Sequence, residues 1–183
     1  MKDEIVLEVR NISKRFGGVQ ALKGVSLSIC KGEVMAIAGE NGAGKSTLIK
    51  IINGIIREYQ GDVLLDHRIV RWQSPIMALH SGIGYIPQEL SLVSQMKVYE
   101  NIFLGRESGH PLFVDERKMR ELASELLLNL GAQFSPADKV GQLSAGDKKL
   151  VEIARALSMN GRIIIMDEPT AALATAEIVR LFE

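Results

Sequence analysis

The spacing of apolar residues changes along the chain and predicts two kinds of strand. Residues 5–9 and 24–29 are rich in β-type residues, and the second run alternates apolar with polar, which predicts a small antiparallel sheet. Residues 34–38 form an apolar, strand-like run. Residues 163–166 are continuously apolar, a pattern typical of strands buried in a parallel sheet. Residues 61–65 and 82–87 are also predicted strands.

Helical spacing follows the first apolar run and dominates the middle of the chain. It covers residues 46–54 and 96–130, and Ser74 with Pro75 predicts the start of a short helix that ends near residue 81. Ser144 is placed to cap a further helix over 145–158. We therefore predict an α/β core over 1–88 and 146–183, with residues 89–145 inserted as a mainly helical lobe.

Composition narrows the class of protein. The 183 residues suffice for one domain with a proper core, and 46% apolar with 24% charged residues is typical of a soluble globular protein. The 22 basic and 22 acidic residues balance, so charge gives no argument for a nucleic-acid partner. The single Cys30 excludes an internal disulfide, and no run is long enough to cross a bilayer. We expect a cytoplasmic chain without a signal peptide, which reaches a membrane only through a partner.

Residues 39–47 read G-E-N-G-A-G-K-S-T, a full phosphate-binding loop between a predicted strand and a predicted helix. Glycines let backbone N–H groups turn inward around a polyphosphate, and the helix N-terminus favours negative charge. We expect Lys45 to reach the β- and γ-phosphates and Ser46 to bind Mg²⁺. The predicted phosphate-binding residues are Gly39, Glu40, Asn41, Gly42, Ala43, Gly44, Lys45, Ser46 and Thr47.

Two carboxylates follow the apolar run at 163–166. Asp167 ends the predicted strand, at the edge of the sheet where ligands bind in open α/β folds, and is placed to hold Mg²⁺ through its waters. Glu168 is placed to act as the general base that polarises the attacking water. The alternative is a surface Asp-Glu pair that merely ends a strand.

The segment Leu143–Asp147 reads L-S-A-G-D and closely resembles the LSGGQ signature of ATP-binding cassette (ABC) proteins. Phe16 matches the aromatic residue that stacks on adenine in that family, and Gln88 matches the glutamine that contacts Mg²⁺ and joins core to lobe. Taken alone, these residues could be an ordinary helix cap, a core aromatic and a polar strand end. Together, the five elements follow the family's order over essentially the whole chain.

The resemblance implies a P-loop NTPase core of ABC type with a small antiparallel β-subdomain and an inserted helical lobe. It implies ATP and Mg²⁺ as ligands, with Ser46, Gln88 and Asp167 at the metal. Ser144, Ala145 and Gly146 would contact the γ-phosphate bound by a second cassette, so each signature would complete the opposite site.

Four segments, 39–44, 87–92, 100–107 and 166–173, resemble the N-terminal cassette of monosaccharide importers of the ribose, xylose and galactose type. That resemblance implies an ATPase that powers a membrane importer. Its partners would be permease subunits, contacted through the helical lobe, and a second cassette in the same chain or a dimer. It would lie at the inner face of the cell membrane.

The chain departs from the family pattern in three places. Lys149 stands where the signature usually continues with glutamine, and Ala174 stands where many cassettes carry an aspartate. The third departure concerns the switch histidine that the family carries after Asp167. His67, His80 and His110 all precede Asp167, so none of them can be that residue. We therefore expect a C-terminally truncated cassette that is inactive alone.

Two other functions stay open. The chain could be a nucleotide-binding module without turnover. It could also be a soluble ABC ATPase that acts outside transport. Where the partner of such an ATPase is nucleic acid, the zero net charge of this chain gives the hypothesis no support.

Overall fold

A computed structural model of the chain describes residues 4–88, 91–110, 113–159 and 161–167. The chain divides into two compact units, Met1–Ser81 and Gly82–Glu183, which we call the N-terminal unit and the C-terminal unit. The predicted boundaries of core and lobe, at residues 88–89 and 145–146, stay a prediction.

The N-terminal unit is built on one antiparallel sheet in the order β2-β1-β3-β4. The antiparallel sheet predicted from residues 5–9 and 24–29 is thus confirmed, and its first two strands are longer than predicted. β3 and β4 are joined by Asp66 and His67, both with positive φ (48° and 62°), as a tight two-residue hairpin turn requires. The strands are β1 (Ile5–Phe16), β2 (Val19–Cys30), β3 (Gln60–Leu65) and β4 (Arg68–Val70).

Two helices complete this unit, α1 (Lys45–Ile52) and α2 (Pro75–His80). Both lie where the pattern predicted them. α1 contacts β2 and buries one apolar face, because its large aliphatic residues recur with helical spacing. The buried side chains of α1 are those of Leu48, Ile49, Ile51 and Ile52.

The strand predicted over 34–38 is wrong. Residues 33–40 form no helix or strand, and Val34 and Ile37 are exposed. A strand needs a neighbour that pairs with its backbone N–H and C=O groups, and within the described residues this segment has no ladder. An apolar run predicts the tendency to be buried but not the partner that buries it.

The C-terminal unit contains the parallel pair β5 (Ile83–Ile86) and β8 (Ile163–Met166), which run in register. The prediction that residues 163–166 form a strand of a parallel sheet is confirmed. Since β8 follows β5 by almost eighty residues, the crossover has room for the helices between them.

Those helices are α3 (Val98–Ile102), α4 (Glu116–Asn129) and α5 (Ala145–Leu157), and a 3₁₀ turn lies at Val140–Gln142. A short hairpin of β6 (Gly109–His110) and β7 (Phe113–Val114), which the helical spacing did not predict, lies between α3 and α4. In the part of the chain that the structure describes, no helix has both the length and the apolar character to span a membrane.

The core of the C-terminal unit lies where α5 packs against α3, α4 and β5. The apolar side chains of α5 line one face, as predicted. The buried members of the cluster are Ile86, Val98, Tyr99, Ile102, Phe103, Met119, Ala123, Leu127, Leu130, Val140, Leu150, Val151, Ile153, Ala154 and Ala156.

Asn101 is a fully buried polar residue in this core. Its side-chain oxygen accepts a hydrogen bond from the Val93 N–H (2.8 Å), and its amide donates to the carbonyls of Val93 and Lys97 (both 3.1 Å). The side chain thus satisfies its own hydrogen-bonding groups and backbone groups of the loop before α3.

We expect Asn101→Ala to lower the free energy of unfolding by about 2–3 kcal/mol, because it leaves buried donors and acceptors without partners. Urea unfolding checks this, with Asn129→Ala on the exposed end of α4 as the matched control. Equal stability of the two variants would contradict the role given to Asn101.

Candidate nucleotide site

The predicted phosphate loop forms a compact turn that leads directly into α1. Gly42 and Gly44 have positive φ (84° and 92°), and Gly44 is the N-cap position of α1. The Ala43 N–H donates to the Glu40 carbonyl (3.1 Å), which closes the turn. Successive N–H groups in such a conformation form an anion-binding concavity at a helix N-terminus. Most of the loop is exposed to solvent.

Lys45 folds back over this loop. Its ammonium nitrogen donates to the Gly39 carbonyl (2.7 Å) and the Glu40 carbonyl (2.9 Å). An ammonium group carries three protons, so both bonds are compatible with a third to a phosphate oxygen. The side chain is therefore held beside the turn that would surround the phosphates.

β2 supports the loop from behind at Gly44. A Cβ atom built on Gly44 would lie 2.4 Å from the Ala21 carbonyl oxygen and 2.8 Å from Leu22 Cδ2. No side chain fits in that space, so the position requires glycine for packing as well as for its positive φ. The antiparallel sheet thereby fixes where the loop meets the helix.

Phe16 is the last residue of β1, at the hairpin where β1 turns into β2. It pairs with Val19 and the residue is 49% exposed, which excludes the alternative of a buried core aromatic. Lys14 Nζ lies 5.1 Å from the ring centroid. Along β2, Leu22 beside the loop comes three positions after Val19, a distance of about 10 Å in a strand.

Gln88 and Asp167 are brought to one edge of the parallel pair in the C-terminal unit. Ile86 pairs with Met166, and the Asp167 N–H donates to the Ile86 carbonyl (3.0 Å), so the ladder continues to Asp167. Gln88 follows β5 by two residues and is exposed. Because the carboxyl ends of parallel strands meet at one edge, both side chains belong to the place where ligands bind in such sheets.

The hydroxyl group of Tyr85 is affected by the charge at this edge. Burial raises the pKa of the Tyr85 hydroxyl, and the negative charge of Asp167 raises it further. The tyrosine therefore stays neutral near the Asp167 carboxylate.

The signature segment caps α5. The Ser144 hydroxyl oxygen accepts a hydrogen bond from the Asp147 N–H (3.1 Å), and the hydroxyl donates to the Asp147 carboxylate (2.7 Å). Ser144 is thus the ordinary N-cap that we considered as an alternative, and the signature role stays a prediction. Ala145 and Gly146 form the first turn, with Ser144 and Ala145 exposed to solvent.

Both units offer oxygen donors, the ligand atoms that Mg²⁺ prefers. Ser46 is an exposed hydroxyl at the start of α1, while Asp167 and Gln88 offer a carboxylate and an amide oxygen. Within the described ranges no cluster of three or more His, Cys, Asp and Glu side chains could hold a metal ion. Mg²⁺ that shares its coordination with substrate phosphates needs no such cluster. Glu168, the predicted general base, lies outside the described residues.

Sequence reasoning missed Glu152 and gave Lys149 only as a departure from the family pattern. The structure makes them a buried ion pair on α5, with 3.2 Å between Nζ and Oε2. The available signal was two opposite charges, three positions apart, on the face of the helix that otherwise carries aliphatic residues.

Residues 22–171 match the family described as ABC transporter. A ribose import ATP-binding protein from Escherichia coli O157:H7 is 48% identical over the whole chain, which covers 36% of that protein. A galactose/methyl galactoside import ATP-binding protein from Clostridium perfringens is 43% identical, again over 100% of the chain and 36% of the relative.

A solved ATP-binding cassette of an ABC transporter, in its ADP conformation, shares the fold with a TM-score of 0.82 and 36% identity, over 97% of this chain and 74% of that one. The chain therefore belongs to the ABC transporter family and has the P-loop ABC ATPase fold. It spans 36% of the length of the two sugar-import relatives.

We expect Gly44→Ala to lower the free energy of unfolding by about 1–3 kcal/mol more than Gly17→Ala, because the added methyl group overlaps β2. Gly17 also has positive φ (54°), but a Cβ there meets nothing within 4 Å, so it reports the backbone cost alone. Chemical denaturation of both variants measures the difference. Identical losses would show that β2 does not constrain the loop.

Proposed function

We propose that the chain is the ATP-binding and ATP-hydrolysing cassette of a membrane importer, most simply one for a monosaccharide. The observation that carries this is the phosphate loop, in which Lys45 lies over a turn of positive-φ glycines at the start of α1. Family membership supports ATP as the ligand. The printed names of the relatives, ribose and galactose import proteins, support the substrate class.

In this proposal each predicted residue has one role. The loop at 39–47 binds the α-, β- and γ-phosphates, and Phe16, at the hairpin between β1 and β2, stacks on adenine. Ser46, Gln88 and Asp167 would hold Mg²⁺, which would supply positive charge beside the phosphates. The carboxylate of Glu168 takes a proton from the water that attacks the γ-phosphorus, and the bond to the β-phosphate oxygen breaks.

The same proposal includes two protein partners. Ser144, Ala145 and Gly146 at the N-terminus of α5 serve the γ-phosphate of a second cassette, since a helix N-terminus favours an anion. Permease subunits receive the energy of closure, with residues 89–145 as the contact surface. The complex lies at the inner face of the cell membrane.

Two observations would favour the other functions. A nucleotide-binding module without turnover would bind ATP and hydrolyse none in the protein expressed from its full reading frame. An ABC ATPase outside transport would hydrolyse ATP, but its loss would leave monosaccharide uptake by the cell unchanged. Charge balance gives no support to a nucleic-acid partner.

We expect Lys45→Ala to weaken ATP binding by about 1.5–3 kcal/mol, roughly ten- to a hundredfold, because it removes a charged hydrogen bond to phosphate. Calorimetric titration measures the affinity. Lys50→Ala is the matched control, because Lys50 is an exposed lysine in the last turn of the same helix. If the two variants bound ATP equally well, the loop would not be the nucleotide site.

We expect Glu168→Gln to keep ATP binding and to lower turnover by about 10²–10⁴-fold, since it keeps the shape of the side chain but removes the base. ATP hydrolysis is measured in the protein from the full reading frame, and uptake of labelled ribose and galactose in cells carrying the variant. Both should fall together.

Asp167→Asn should differ by raising the Mg²⁺ concentration needed for hydrolysis. Normal turnover in Glu168→Gln would refute its role as base. Lost hydrolysis with normal uptake of both sugars would refute sugar import but leave the ATPase assignment intact.

A further inference from the structure

A buried ion pair on α5 contacts the chain on both sides of Gln88. Lys149 and Glu152 lie three residues apart on the same face of the helix and are only 3% and 4% exposed. The ammonium nitrogen of Lys149 lies 3.2 Å from Glu152 Oε2.

Each member of the pair also binds backbone near Gln88. Lys149 Nζ donates to the carbonyl of Pro87, the residue before Gln88, at 2.8 Å. Glu152 Oε1 accepts from the backbone N–H of Ser91 at 2.7 Å and from the Ser91 hydroxyl at 3.3 Å. A cation thus holds a carbonyl on one side of Gln88, and an anion holds an amide on the other.

Stability alone does not explain this arrangement. Burial of two charges costs several kcal/mol, and apolar side chains of similar volume are often as stable or more so. Its neighbours along the helix, Leu150, Val151 and Ile153, all belong to the buried apolar cluster of this unit. The charges determine which backbone group each side chain can bind, because a lysine can only donate hydrogen bonds and an ionised glutamate can only accept them.

We propose that Lys149 and Glu152 are positioning residues, which hold Gln88 where its side chain contacts the Mg²⁺ of the bound nucleotide. This inference rests on the proposed function, in which Gln88 supplies an oxygen to the metal. It also ties Gln88 to α5, the helix that begins at the signature residue Ser144. Outer contacts of this kind typically change metal affinity or activity by about 10–100-fold when removed.

Three variants separate positioning from a merely structural role. Lys149→Met removes the donor and keeps the length of the side chain. Lys149→Gln keeps an N–H donor for the Pro87 carbonyl. The exchange Lys149→Glu with Glu152→Lys keeps an ion pair on α5 but turns the wrong charge toward each backbone group. Lys118→Met, at an exposed position of α4, is the matched control.

The Mg²⁺ concentration that gives half-maximal ATP hydrolysis is measured in the protein from the full reading frame. We expect an increase of about tenfold in Lys149→Met and in the exchange variant, and values near the parent in Lys149→Gln and Lys118→Met. Calorimetry of ADP with and without Mg²⁺ gives a second readout that needs no turnover. Affinity without Mg²⁺ should stay unchanged in all variants, because the phosphate loop is intact.

Hydrogen exchange at the Ser91 amide tests the contact without any nucleotide. It should be faster in the exchange variant than in Lys149→Gln, since the carboxylate that accepts this N–H is gone. Should Lys149→Met fold poorly, Lys149→Met with Glu152→Met removes both charges and carries the same expectation for Mg²⁺.

A parent-like Mg²⁺ requirement in Lys149→Met or in the exchange variant would overturn the inference, since the pair would then act only within the helix. An increase of the Mg²⁺ requirement in Lys149→Gln as large as that in Lys149→Met would overturn the inference as well. Failure of the proposed function is seen elsewhere, in a parent protein that neither binds nor hydrolyses ATP.

Discussion

The packing of the apolar face of α5 fixes the positions of most of the candidate site residues in the C-terminal unit. This face meets α3, α4 and β5 in one buried cluster, so the direction of the helix is set by the burial of aliphatic side chains. Its N-terminus, capped by Ser144, is thereby aimed at solvent, and its Lys149 and Glu152 are turned toward the end of β5. A single hydrophobic contact thus places the signature residues and the segment around Gln88.

A different constraint governs the N-terminal unit, where backbone conformation rather than side-chain packing shapes the phosphate loop. Positive φ at Gly42 and Gly44 turns the loop, β2 closes the space behind Gly44, and Lys45 bonds the carbonyls at the loop's start. The chemistry of the loop comes largely from N–H groups and one ammonium, so it depends on conformation more than on residue identity.

Predictions succeeded where the signal was local and failed where a partner was needed. Ser144 before an apolar helical pattern predicted the start of α5, and the uninterrupted run at 163–166 predicted a strand of a parallel pair. The apolar run at 34–38 looked equally strand-like, yet it has no ladder within the described residues. Strand formation is completed by a neighbour, whereas a helix satisfies its backbone by itself.

The amino-acid sequence by itself determined the ligand-binding loop, the capped helix and the family, because these follow from residue types at short, fixed spacings. Only the tertiary structure decided that Lys149 and Glu152 are buried and that their partners are Pro87 and Ser91, some sixty residues earlier in the chain. The reason is physical: a charge pattern on one helix does not reveal which distant backbone groups will need a donor or an acceptor once water is excluded.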